Sequence, residues 1–180
     1  MGSREEEIGP KVTARHLLAA YVRLQSRVQL SLSPGNWIPF VRMPHKWNEM
    51  WLVRDRTPAE CVKAIVKATE ELCEKGGKWV YEVVDAEEES GRLVICCYTR
   101  ARWMDVITIN FSKVVSGSNA SVSHYSSGFL PLIVPLAPIL NCVLCFIPFY
   151  DGQLAARRWL PTLRKGLTCD VQLLKAARVA

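Results

Sequence analysis

The chain has 180 residues, 49% hydrophobic and 22% charged, a length and composition that support one good core without disulfides or metal and exclude a disordered chain or a multi-span membrane protein. Its net charge of +6 is uneven, with 13 basic and 14 acidic side chains in residues 1–90 against 10 and 3 in residues 91–180. That C-terminal excess suits an anionic membrane or an acidic partner, whereas nucleic acid is disfavoured because the aromatic residues are not interleaved with the basic ones.

Residues 1–10 are polar and acidic and read as a flexible N-terminus, leaving 11–180 as a single domain. From Lys11 to about Leu30, Val12, Leu17, Leu18, Tyr21, Val22 and Leu24 recur at helical spacing with arginines between them, which predicts an amphipathic helix laid against the domain. Residues 31–56 hold Pro34, Gly35, Pro39 and Pro44 among Trp37, Trp47 and Trp51, so a wrapped loop ending in a short strand, Glu49 to Val53, is expected. Tryptophans are costly to leave in water, and these three must pack on the domain, a ligand or a partner.

Thr57-Pro58-Ala59-Glu60 joins a capping-box pair to proline at the first helical position, and Gly76-Gly77 supplies a stop. The helix between them carries an apolar stripe of Val62, Ile65, Val66, Thr69, Leu72 and Cys73. Lys78 to Val84 and Arg92 to Thr99 read as a hairpin around an acidic turn, and Asp105 to Val115 and Ala120 to Ser127 as two further strands. An antiparallel meander of about four strands follows, covered on one face by the 57–75 helix.

Val114 to Tyr150 contains no Asp, Glu, Lys or Arg, and residues 129–150 are almost wholly apolar. Pro131, Pro135, Pro138 and Pro148 break the backbone bonding that a spanning helix needs, which sets a transmembrane helix behind two other readings, a buried connection and an apolar loop or short helix that dips into a membrane or a partner's groove. A helix from Asp151 to Gly166, basic through Arg157, Arg158, Arg164 and Lys165, and a last short helix from about Asp170 to Arg178 complete the expectation. The fold class is thus α+β, an antiparallel sheet of about four strands covered by helices, with N-terminal and C-terminal helices.

No complete catalytic or metal-binding set is visible. Cys142-Val143-Leu144-Cys145 has redox or half-zinc spacing, but the adjacent Cys96-Cys97 is a poor second pair because neighbouring strand side chains point to opposite faces. Apolar surroundings also raise rather than lower a thiol pKa. His16, His45 and His124 lie apart in sequence, and Glu87, Glu88 and Glu89 read as a solvated turn. Seven cysteines without an apolar leader favour an intracellular, reducing compartment, with membrane association as one of the readings. No cofactor or metal is expected.

From Thr57 to Arg158 the order of elements resembles a widespread uncharacterised domain family, in which a capped helix precedes strands with "DDV"-like and "RSxSR"-like motifs. The stretches that carry the resemblance are Thr57 to Glu60, Trp103 to Ile109 around Asp105, and Val122 to Gly128. This chain lacks the arginines of the last stretch and inserts the apolar segment, so the resemblance implies a fold and no activity.

The leading expectation is a non-enzymatic binding or assembly module that contacts a membrane, a hydrophobic ligand or a protein complex. The residues that would make the contact are Trp37, Trp47, Trp51, Phe129, Leu132, Ile133, Leu136, Phe146 and Phe149, with Arg157, Arg158, Arg164 and Lys165 as a basic surface. The alternative is a soluble carrier holding a small apolar ligand in an internal cavity, closed by residues 129–150 and the three tryptophans. An enzyme using cysteine or histidine chemistry comes third.

Overall fold

A computed structural model describes residues 10–32, 46–74, 80–126, 128–144, 152–167 and 170–178. In chain order the elements are α1 (Pro10–Leu32), β1 (Lys46–Arg54), α2 (Pro58–Glu74), β2 (Val80–Glu87), β3 (Arg92–Tyr98), β4 (Met104–Val114), β5 (Gly117–Ser126), α3 (Ala137–Val143), α4 (Gly152–Gly166) and β6 (Val171–Arg178). The fold is α+β, and all six strands form one antiparallel sheet in the order β2-β3-β4-β5-β1-β6.

The expected four-strand meander is β2 to β5. The sheet is wider because β1 returns to pair with β5, Trp51 opposite Ala120, and β6 pairs with β1, Val171 opposite Val53. Residues 171–178 therefore form a strand where a terminal helix was expected. The short run VQLLKAAR fits either period, and the free edge of β1 decides between them. Both outer strands carry a register irregularity, at Val83/Asp85 in β2 and opposite Met50/Trp51 in β6. Such bulges guard an open edge against pairing with another chain.

Helix α2 begins as its sequence dictates. The Thr57 backbone N–H donates to Glu60 Oε2 at 2.8 Å, and the Glu60 N–H donates back to Thr57 Oγ1 at 3.4 Å. The first of these bonds, with the Thr57 hydroxyl donating to the same Glu60 Oε2 at 2.8 Å, stabilises the charged carboxylate and holds Glu60 below its ordinary value.

Alternation along the strands sends one set of side chains to each face of the sheet. On the first face Trp51, Val53, Leu93, Ile95, Ile107, Ile109 and Val122 pack against Cys61, Val62 and Ile65 of α2 and Trp159, Leu160 and Leu163 of α4. On the second face Val94, Cys96, Tyr98, Met104, Val106 and Tyr125 lie against Val22 of α1 and Leu132 and Ala137 of the apolar segment.

Helices α2 and α4 touch where Gly166 faces Ala68, so closely that a Cβ on Gly166 would collide with the Ala68 methyl. Gly166→Ala is expected to cost about 1–3 kcal/mol by forcing the helices apart. Urea unfolding checks this, and an unchanged midpoint would mean that the contact is not tight.

Candidate functional site

Helix α1 turns an unusual face inward. Gln25, Ser26 and Gln29 are buried with Val22, while Tyr21, Leu24 and Val28 are exposed, Leu24 by 63%. The expectation that its apolar residues pack on the domain holds for Val22 and fails for Tyr21 and Leu24. What α1 buries instead are amides with partners in the apolar segment. The Gln25 Nε2 group donates to the Leu132 and Val134 carbonyls, both at 2.9 Å. Gln29 Oε1 accepts from Asn141 Nδ2 at 3.1 Å, and the Cys142 thiol donates to the Leu32 carbonyl at 3.3 Å.

These bonds explain how a proline-rich apolar run folds without regular strands. Pro131 and Pro135 offer no N–H, and the carbonyls and amides around them are met by side chains. Asn141 also accepts from the Leu130 N–H at 2.7 Å and donates to the Leu130 carbonyl at 3.0 Å, closing residues 130–141 into a loop. Its amide sits directly on Gly128, where any Cβ would overlap it. At the other side the Leu132 N–H reaches the Arg102 carbonyl at 2.9 Å.

With its backbone thus satisfied, the segment presents apolar side chains in two directions. Leu132 points inward and is 1% exposed. Phe129, Ile133, Leu136, Ile139, Leu140 and Val143 point outward, Leu136 by 65% and Val143 by 70%. Together with Tyr21, Leu24 and Val28 they are nine of the fifteen large apolar side chains that the described residues expose, all on two elements that pack on the second face of the sheet and are bonded to each other. Leu136 is also held at φ 61°, in the left-handed region that favours glycine. A γ-branched residue in that region carries backbone strain of about 1–2 kcal/mol. Leu136→Gly is expected to keep or raise stability, by up to about 1 kcal/mol. It should weaken capture of an apolar partner, and a melting curve beside a binding curve checks both.

The predicted site residues separate. Trp47 and Trp51 stand on the first face of the sheet, opposite the apolar segment, and their indole N–H groups donate to Glu49 at 3.2 and 2.7 Å. Trp51 is fully buried, with the Arg164 guanidinium 5.9 Å from its ring centroid and 3.9 Å from Glu49. Arg164 is thereby drawn into the α4–sheet contact. Lys165 is exposed and lines an open groove of about 810 Å³ between α2 and α4, beside Lys63, Lys67, Glu71 and Gly166. Trp37, Phe146 and Phe149 lie outside the described residues, as do residues 1–9 and the side chains of Arg157 and Arg158.

Beneath α4, Asp105 and His124 meet in the interior, so Asp105 is not the surface ion-pair partner of Arg100 and Arg102 that its place in sequence suggests. Asp105 accepts the Trp159 indole N–H at 3.2 Å, and its carboxylate stands 3.7 Å from His124 Nε2. His124 is fully buried, and neither ring nitrogen has a hydrogen-bond partner among the described residues. The pair sits inside the core, with His124 fully enclosed and Asp105 nearly so. The cysteines on β3 are equally withdrawn, since burial pushes the Cys96 thiol up to about 12 and the Cys97 thiol well above its ordinary value. At pH 8, iodoacetamide is expected to label exposed Cys73 quickly and Cys96 and Cys97 only after unfolding. Peptide mass spectrometry reads this directly, and rapid labelling of Cys97 would place an opening in β3.

Among the described residues no group of His, Cys, Asp or Glu could hold a metal ion. No described helix is long and apolar enough to cross a membrane.

Neither a protein-family model nor a curated protein matches the chain. Among solved structures the chain is similar to the crystal structure of Ara h 8.0201, with a TM-score of 0.45 and 12% identity over 68% of this chain and 94% of that one. It is also similar to protein CV1439 from Chromobacterium violaceum, with a TM-score of 0.31 and 11% identity over 56% of this chain and 99% of that one. Likeness at these scores carries no function across.

Proposed function

We propose that this chain is a non-enzymatic binding module that captures an apolar partner through the outer face of α1 and residues 129–143. The observation that carries the reading is the gathering of nine large exposed apolar side chains on that face, while Gln25 and Gln29 of the same helix are turned inward. Exposed apolar surface on that scale is uncommon without a partner to cover it. The amides of Gln25, Gln29 and Asn141 support it further, because they fix the segment's shape without its apolar side chains.

The test compares Nile red uptake and gel filtration of the chain with a Leu136→Asp/Ile139→Asp variant. Both positions are exposed, so circular dichroism and melting should match. The parent is expected to take up the dye or associate, and the variant to lose at least about tenfold in either, as two buried leucine-sized contacts imply. Equal behaviour of the two chains would remove this face from the function.

A second reading, a carrier that encloses a small apolar ligand, is favoured by Leu132 and Ala137, which point into the second cluster beside Val94, Cys96, Met104 and Val106. Saturable one-to-one dye uptake that survives Leu136→Asp and is lost with Leu132→Phe would identify it. We also propose kinship with the DDV/RSxSR family. Its support is the order of elements from α2 to α4, with Asp105 at the start of β4 and residues 122–126 beside it on β5.

A further inference from the structure

We propose that the partner of the α1/129–143 face is the surface of an anionic lipid bilayer, an inference that rests on the reading of that face as the binding surface. In sequence, residues 10–32 and 128–144 hold Lys11, Arg15, Arg23 and Arg27 and not one Asp or Glu. The turn against which the segment is pinned, through the bond from Leu132 to Arg102, adds Arg100 and Arg102. Arg23 is paired with Glu82 at 3.4 Å, and Glu82 also accepts the Tyr98 hydroxyl at 2.9 Å, so that carboxylate is already engaged. Arg27, Arg100 and Arg102 have no ion-pair partner among the described residues.

An apolar patch bordered by such cations is what an interfacial element offers to acidic headgroups. Leu136, Ile139 and Val143 would enter the acyl boundary while the guanidinium groups stay at phosphate level. A second copy of the chain fits the patch poorly, because it would bring two sets of unpaired arginines together. The bulges in both outer strands disfavour edge-to-edge pairing as a route to assembly.

Co-sedimentation with two kinds of vesicle tests this, phosphatidylcholine alone and phosphatidylcholine with about 30% phosphatidylserine, a content that sets a negative surface potential. The chain is expected to pellet with the acidic vesicles and to be released by salt. Arg27→Gln with Arg100→Gln should weaken that binding on the order of tenfold. Leu136→Asp/Ile139→Asp should abolish it with unchanged circular dichroism. Equal binding to both vesicles, indifferent to the arginines, would overturn the anionic surface and leave the apolar face standing. Binding to neither, with dye uptake or self-association still lost in the Asp variant, would overturn the lipid partner alone. Binding to neither, with parent and Asp variant alike in every assay, would bring down the underlying reading as well.

Discussion

Trp51→Ala is expected to lower stability by about 3–5 kcal/mol, the largest effect of any single truncation in the first-face core. Trp51 is fully buried at the centre of β1, where it lies between Ala120 of β5 and Leu173 of β6. Its loss opens a cavity, takes the 2.7 Å donor from Glu49 and removes the ring beside Arg164. In a chain of this length the melting temperature should fall by on the order of 10 °C. Trp51→Phe keeps most of the volume and should cost less than half as much, the remainder reporting the bond to Glu49. A fall of less than about 1 kcal/mol for the alanine variant would mean that β1 and β6 are not seated on the core as described.

Asp105→Ala comes second, with an expected loss of about 3 kcal/mol, because it removes a buried carboxylate that accepts the Trp159 indole N–H and stands beside His124. The Trp159 indole loses this acceptor and His124 loses the carboxylate that stands beside its ring. Asp105→Asn separates the two roles. The amide oxygen still accepts from Trp159, so near-parental stability would assign the cost to the hydrogen bond. A loss equal to that of alanine would assign it to the carboxylate beside His124. Chemical denaturation of the three chains at one pH decides between these outcomes, and indifference of all three would show that α4 docks on apolar contacts alone.

Much of the fold was legible in local patterns. The capping box at Thr57 and Glu60 located the start of α2, and alternation placed β2 to β5 within a few residues. What local pattern did not carry was the closure of the sheet. β6 exists because β1 has a free edge, and β1 belongs to the sheet because β5 lies beside it, both long-range facts. The candidate face was half legible. The uncharged run 129–150 drew attention by composition, and its outward Ile133 and Leu136 were among the residues singled out. The contribution of α1 was missed because apolar periodicity is read as burial, whereas here Leu24 faces water and Gln29 the interior. The available signal was a pair of glutamines at helical spacing, positions 25 and 29, in a helix with no acidic residue. Grouping the tryptophans with the segment failed for a simpler reason, since the sheet stands between Trp47 and Trp51 on one side and Leu132 on the other.

In the function proposed above, one face of this molecule, α1 with residues 129–143, meets an apolar partner. Amide hydrogen exchange with and without dodecylphosphocholine micelles tests it across the whole chain at once. Slowed exchange at residues 133–144 and in the last three turns of α1, with α2 and β2 to β5 unchanged, is the predicted result. Protection confined to the groove between α2 and α4, or none anywhere, would contradict it.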